Sequence, residues 1–466
     1  MKLILRWNGD NMRNLEIMPT EENLLEAIKE NILKRNDALV YFYKLLLAQD
    51  NGTIIAIDGR WGSGKTFFVK QEMMIINAMN PRSKIEQEVK QEILNSVCID
   101  VNKKENYDLA IYYDAWENDN DIDPIISLIY EISMQIGDKY MFESDINFFK
   151  MVVSIVECIN GKNIKSIIDS LKDENPLIKF QKQKELDSQI EDFFTHILAE
   201  RGQRLVVFID ELDRCKPSFA VQLLEQIKHY LCDDRIIFVL SVNLEELQYT
   251  IKHFYGNEFD ASRYLDRFFN LRIPLPPADK KEFYNKLELY GDNSLDKVVQ
   301  RFINVYNMEL REISRFYIQN RAAVYRAIYS TGKFDFSFTD GYARKFMLTC
   351  MVPIVVGLKM VDVSLYEEFI SGNNPEPMIN IFNAEEFMDL IRVYFLGENE
   401  SFNTEESKET ITLEEKIIEI YNAIFVNQYS AKKNFKAIGH CRFNENSKKI
   451  ILTAASMLSK YANYEI

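Results

Sequence analysis

The stretch that most constrains this sequence is Gly59-Arg60-Trp61-Gly62-Ser63-Gly64-Lys65-Thr66, which matches G-x-x-x-x-G-K-[ST]. It follows Thr53 to Ile57 (TIIAI), an apolar, β-branched run that reads as a strand buried on both faces. A helical pattern over residues 64–78 comes after it. A glycine-rich loop in that setting wraps its backbone N–H groups around phosphates without Cβ clashes. The helix that follows points its positive end at the same anion. This assigns phosphate binding to Gly59, Arg60, Trp61, Gly62, Ser63, Gly64, Lys65, Thr66 and the adjoining Phe67. Lys65 is expected to reach the β- and γ-phosphates, and the Thr66 hydroxyl to ligate Mg²⁺.

A second stretch, Arg204 to Arg214 (RLVVFIDELDR), is a buried strand that delivers an acidic pair to its C-terminal edge, where ligands bind in open α/β sheets. Asp210 is expected to hold Mg²⁺ through its water shell, and Glu211 to polarise the attacking water, with Asp213 as a further catalytic carboxylate. The strand Phe238 to Asn243 ends in polar residues. Asn243 is expected to serve as a γ-phosphate sensor, as the N-cap of the helix that follows, or as both. Tyr112 to Asn118 (YYDAWEN) also ends a strand. Trp116 reads there as a buried packing residue, while Asp114 and Glu117 are candidates to face the magnesium site. Arg214, Arg263 and Arg267 are candidate γ-phosphate cations, and one of Arg263 and Arg267, with Arg267 taken as the site residue, is expected to act across a subunit interface.

Strand-like runs at 110–113, 205–209 and 236–241 join the one at 53–57. Helical segments at 123–137, 185–200 and 217–231 separate them, together with the helix after the loop, and this alternation argues for a parallel α/β sheet. Residues 22–48 carry apolar positions at helical spacing. After Pro274, Pro276 and Pro277 the period stays helical over 279–396 and 411–462, interrupted by the polar, acidic stretch 397–410. The expected organisation is a helical segment 1–50, an α/β core 51–277 with a helical insertion around 138–200, and a mainly α-helical domain 278–466.

The 466 residues carry 71 Asp and Glu against 56 Lys and Arg, a net charge of −15, so binding of nucleic acid is not expected. The six Cys show no Cys-x-x-Cys spacing, and the N-terminus lacks a signal-peptide pattern. The apolar runs Phe148 to Ile159 and Met351 to Leu358 are shorter than the roughly 18 to 20 residues of a spanning helix and read as buried helices. A cytoplasmic location without membrane contact is expected. Asn102-Lys103-Lys104-Glu105 ends in Glu where a guanine-reading motif has Asp, and H-E-x-x-H, G-x-S-x-G and L-S-G-G-Q do not occur, which leaves ATP as the preferred nucleotide.

Four stretches together resemble the KAP family of P-loop NTPases. They are a Walker A loop containing Trp (GRWGSGKT), an aromatic strand ending in Trp with acidic neighbours (YYDAWENDND), a Walker B strand of the form VVFIDELDRCKP, and FVLSVNLEEL leading through YLDRFFNLRIPLPP. The resemblance covers about residues 20–330. It implies an additional-strand P-loop sheet, ATP with Mg²⁺, and roles in bacterial defence against phages or plasmids. Many members insert transmembrane helices between the Walker motifs, whereas this sequence has none there, and where many carry Asp it has Asn243. The expected function is an ATPase that drives a conformational or assembly change, with a homo-oligomer and a separate effector protein as partners. The alternatives are a nucleotide-gated scaffold with little turnover and, further off, a P-loop small-molecule kinase.

Overall fold

The computed structural model describes residues 18–49, 52–99, 107–121, 123–139, 203–230, 234–286, 293–329, 341–397, 400–401, 409–426 and 435–456. They belong to two compact units, Ile17–Phe283 and one from Tyr284 onward. Most of the expected insertion, including the helical pattern at 185–200 and the run Phe148 to Ile159, lies outside the described residues.

The first unit begins with two helices, α1 (Glu21–Glu30) and α2 (Asn36–Leu47), where the spacing reads as one helical stretch. Asn31 and Lys34 interrupt it in left-handed conformations, and the Asn31 side chain accepts a hydrogen bond from the Asn36 N–H, which starts the second helix. Strand β1 (Thr53–Asp58) runs into α3 (Lys65–Met79), followed by α4 (Gln87–Ser96), β2 (Leu109–Asp114) and α5 (Pro124–Lys139). After the undescribed insertion come β3 (Leu205–Asp210), a 3₁₀ turn (Leu212–Arg214), α6 (Pro217–Tyr230), β4 (Ile236–Val242), α7 (Leu244–Tyr255), α8 (Ala261–Leu265) and β5 (Leu271–Pro274).

The five strands are all parallel in the order β5-β1-β4-β3-β2. β4 therefore stands between the strand that carries the loop and the strand that carries the acids, as an additional-strand sheet requires. Both faces are buried. Ala56, Ile111, Tyr113, Val207, Ile209, Phe238 and Leu240 pack with α5, α6 and α7. Ile55, Ile57, Ala110, Phe208 and Val239 pack with α1 to α4. This two-sided burial is why the strands read as continuous apolar runs rather than alternating ones.

The second unit is mainly helical. Met347–Met351 forms a π-helical turn that continues into the helix Val352–Val361, and Met351 to Leu358 is buried throughout. Pro353 has no N–H to donate back into the preceding turn, and the π-helical turn directly before it is where the continuous helix accommodates that missing bond. A hairpin of Phe435–Ile438 and Cys441–Asn444 interrupts the expected helical pattern. Its turn places Gly439 at φ 53°, where a Cβ would meet the Phe395 carbonyl carbon at 2.5 Å. Among the described residues no helix is long and apolar enough to cross a membrane.

Candidate phosphate-binding site

Register fixes the end of β1. The Gly59 N–H donates to the Val242 carbonyl at 3.1 Å, so the loop leaves the sheet beside the end of β4. Gly62 and Gly64 adopt φ of 81° and 90°, which only glycine takes up cheaply. A Cβ on Gly59 would stand 3.0 Å from Ser63 Oγ and 3.3 Å from Lys65 Cγ. Ser63 Oγ donates to the Arg60 carbonyl at 2.7 Å and closes the turn. Arg35, from the segment between α1 and α2, donates to the Ser63 carbonyl at 3.1 Å. Helix α3 then starts at Lys65 with no side-chain cap and no acidic residue in its first turn, which leaves its N–H groups available to an anion.

Lys65 is 7% exposed, and its ammonium donates to the Gly59 carbonyl at 2.7 Å and the Arg60 carbonyl at 3.3 Å. Burial pushes its pKa down, and the carboxylates of Asp213, Asp210 and Glu211 oppose that shift. The loop carbonyls thus hold a cation that has no direct partner among those acids.

The acidic edge faces this lysine. Alternation along the strands puts Asp114, Asp210 and Ser241 on the α3 side, and the register pairs Asp114 with Asp210 and Asp210 with Ser241. Asp210 Oδ2 accepts from Thr66 Oγ1 at 2.7 Å and from the Tyr112 hydroxyl at 3.1 Å, while Oδ1 accepts from the Glu211 N–H at 3.0 Å. Burial, with the Asp210 charge beside it, drives the Tyr112 phenol far above its ordinary range, so it stays a donor. Asp114 Oδ1 accepts from the Trp116 and Glu117 N–H groups and turns the chain after β2. Its own pKa is raised, first by burial. Glu117 is exposed.

Glu211 sits at φ 60°, a left-handed conformation that turns the chain out of β3. Its carboxyl is pushed up to about 7, by burial first and the Asp210 charge second. Asp213 Oδ2 accepts from Trp61 Nε1 at 2.5 Å, which ties the Walker B turn to the loop. Its Oδ1 and the Ser241 hydroxyl are buried without a hydrogen-bond partner among the described residues. Arg214 pairs with Glu211, Nε to Oε2 at 2.5 Å, and its guanidinium carbon lies 5.4 Å from the Trp61 ring centre and 5.5 Å from that of Trp116. Trp116 is 52% exposed, not the buried packing residue expected of it, because its ring stacks on this guanidinium rather than in the core.

Asn243 caps α7, its side chain accepting from the Glu245 N–H at 3.2 Å, and Asp58 Oδ1 accepts from the Leu244 N–H at 2.9 Å. Arg263 and Arg267 are exposed and precede β5, which starts opposite Ile55 and runs toward the loop edge. Both therefore stand toward the far end of the sheet from the loop of their own chain. The nearby Asp266 pairs with Arg272 instead. Arg35, Tyr112, Asp58 and Ser241 escaped the sequence reading. Arg35 and Tyr112 act across long sequence separations that no local motif marks, and a serine next to the end of a buried strand has only its polarity to signal it.

The residues fit a phosphate chain with a hard divalent cation. The glycines leave space for a close backbone approach, Lys65 supplies charge, and the Thr66 hydroxyl and Asp210 carboxylate are oxygen ligands of the kind Mg²⁺ prefers. No curated protein matches the chain. The family model for the KAP family P-loop domain matches residues 35–330, which takes in the loop, the acidic strand and all five strands of the sheet. The chain belongs to the KAP family of P-loop NTPases.

Proposed function

We propose that this protein binds Mg-ATP and hydrolyses it to drive a conformational or assembly change, in bacterial defence against phages or plasmids. The observation that carries the reading is the 2.7 Å hydrogen bond from Thr66 to Asp210, which brings the two proposed Mg²⁺ ligands together beside Lys65. Lys65 and the α3 N-terminus neutralise the β- and γ-phosphates, and Thr66 and Asp210 would hold the Mg²⁺, which would supply further positive charge to the phosphate chain. Glu211 accepts the proton of the attacking water as its oxygen bonds to the γ-phosphorus and the bond to the ADP oxygen breaks. Asn243 touches the γ-phosphate or orders that water, Asp213 keeps the loop in register through Trp61, and Arg267 acts from a neighbouring subunit of a homo-oligomer. A separate effector reads the resulting state in the cytoplasm.

The ion pair of Glu211 with Arg214 favours one second reading, a nucleotide-gated scaffold with little turnover. Phosphate release from the wild type separates the two. The defining test is Glu211→Gln, which should retain Mg-ATP and lose hydrolysis by roughly 10²- to 10⁴-fold. An active Gln variant would move the role to Asp213 or Asp114.

A further inference from the structure

Arg214 gathers residues from three separate parts of the chain. Trp61 comes from the phosphate loop, Trp116 from the turn after β2, and Glu211 from the end of β3. Two of the three tryptophans in the sequence flank this one guanidinium while remaining 43% and 52% exposed. The hydrogen bond from Trp61 to Asp213 fixes the first of these rings against the acidic turn. The guanidinium is thus held at the rim of the loop by two flat surfaces, with its Nε on the carboxylate proposed to polarise water.

We propose that Arg214 is a γ-phosphate cation acting within its own chain, and that its pair with Glu211 is the resting position it leaves when a nucleoside triphosphate binds. A partly exposed ion pair is a weak restraint; the Arg214 side chain is 22% exposed and that of Glu211 18%. A γ-phosphate offers three oxygens and more negative charge, and a planar guanidinium matches such oxygens in pairs where an ammonium does not. The two indoles stabilise the cation on its faces and leave its edge free to change partner. Transfer of Arg214 to the phosphate releases the Glu211 carboxylate at the moment a hydrolysable bond is present. A nucleoside diphosphate lacks the group that draws Arg214 away, so Glu211 stays paired. The site then distinguishes triphosphate from diphosphate through the same residue that lowers the barrier. This inference rests on the ATPase reading above.

The test compares ADP with a non-hydrolysable ATP analogue in wild type, Arg214→Gln and Arg214→Lys, reading affinity, phosphate release from ATP, and tryptophan emission in a Trp7→Phe background. In the wild type the analogue should shift the emission of Trp61 and Trp116 and ADP should not. Arg214→Gln should bind ADP within about threefold of wild type, lose at least tenfold in affinity for the analogue, and lose turnover by roughly 10³-fold or more, in line with arginine cations elsewhere. Arg214→Lys should recover only part of each loss, because charge returns without the fork. Wild-type discrimination and turnover in Arg214→Gln would overturn the proposal, as would turnover above wild type, which would make Arg214 only a restraint on Glu211. Identical emission changes with ADP and the analogue in the wild type would overturn it without any variant. A wild type that binds neither nucleotide would refute the ATPase reading itself, and that control is read first.

Discussion

Glu72 lies in α3, two turns beyond the phosphate loop, and is wholly buried. Phe68, Val69, Ile75 and Ile76, its neighbours on the helix at positions three and four residues away, are buried too. Neither carboxyl oxygen has a hydrogen-bond partner among the described residues. Desolvation raises its pKa well above the ordinary 4.5, with no opposing charge. Glu72→Met replaces the carboxyl with an apolar group of similar length and removes an unsatisfied buried polar group, a change worth about 1–3 kcal/mol of added stability. For a unit of this size that corresponds to a rise of roughly 2 to 4 °C per kcal/mol in the thermal midpoint. The pH dependence has a definite sign. Above pH 4.5 the unfolded chain ionises at this position while the folded one stays protonated, so the folded state binds more protons. Stability of the wild type therefore falls as pH rises from 4.5 toward the folded-state pKa, by at most about 1.4 kcal/mol per unit from this group.

The assay is urea unfolding at pH 5.5, 7 and 8 in a Trp7→Phe background, followed by the emission of Trp61 and Trp116, both in the same unit as Glu72. The advantage of Glu72→Met should widen with pH. Glu72→Gln, which buries an uncharged amide in the same space, should remove the pH dependence while keeping most of the unsatisfied polar cost. A gap between wild type and Met that stays constant from pH 5.5 to 8 would refute the reasoning, and so would a Met variant less stable than wild type by more than about 1 kcal/mol.

Lys65→Ala should abolish nucleotide binding in calorimetry yet change folding stability by no more than about 1 kcal/mol, because the two carbonyl contacts it loses are offset by relief of a buried charge. Near wild-type affinity would contradict the phosphate-loop assignment. Gly439→Ala, at φ 53° and with its Cβ directed onto the backbone of Phe395, should destabilise the second unit by at least about 1–2 kcal/mol, seen as a lowered midpoint in thermal melts; an unchanged midpoint would mean that the hairpin turn relaxes freely.

What the sequence reveals and what it hides follow from the range of the interactions. The runs at 53–57, 110–113, 205–209 and 236–241 are strands whose ends lie within about a residue of the expected ones, because each is apolar on both faces and bounded by polar or turn residues. The chemistry of Gly59 to Thr66 and of Asp210 is equally local: a loop, a helix start and a strand end carry it. Signals that depend on a distant partner do not survive in a linear reading. The exposure of Trp116 depends on where Arg214 lies, and the three hydrogen bonds from Arg204 to Asp108, just before β3 and β2, join residues 96 apart. The break at Asn31 is a different failure. Apolar spacing continues through it in Ile32 and Leu33, and only the conformations of Asn31 and Lys34 end the helix. The hairpin at 435–444 escapes because each strand has four residues, too few to set an alternating period against the helical one around it.

The sheet order explains why a small residue, Ser241, stands next to last in β4. Because β4 stands between β1 and β3, the loop after β1 must reach across it for Thr66 to meet Asp210, a span of two strand spacings or about 9.6 Å. Ser241 pairs with Ile57 on one side and Asp210 on the other and points to the same face, so it lies under that crossing. A large side chain there would lift the α3 start away from Asp210. A serine keeps the crossing low and leaves a buried hydroxyl beside the acid, without a hydrogen-bond partner among the described residues. A shift of the β4 register by one residue would put Leu240 or Val242 under the crossing and turn Ser241 toward α6 and α7. The apolar faces of β4 forbid that slip, since it would also exchange every residue between the two cores. The packing of the sheet thus fixes the geometry of the acidic edge.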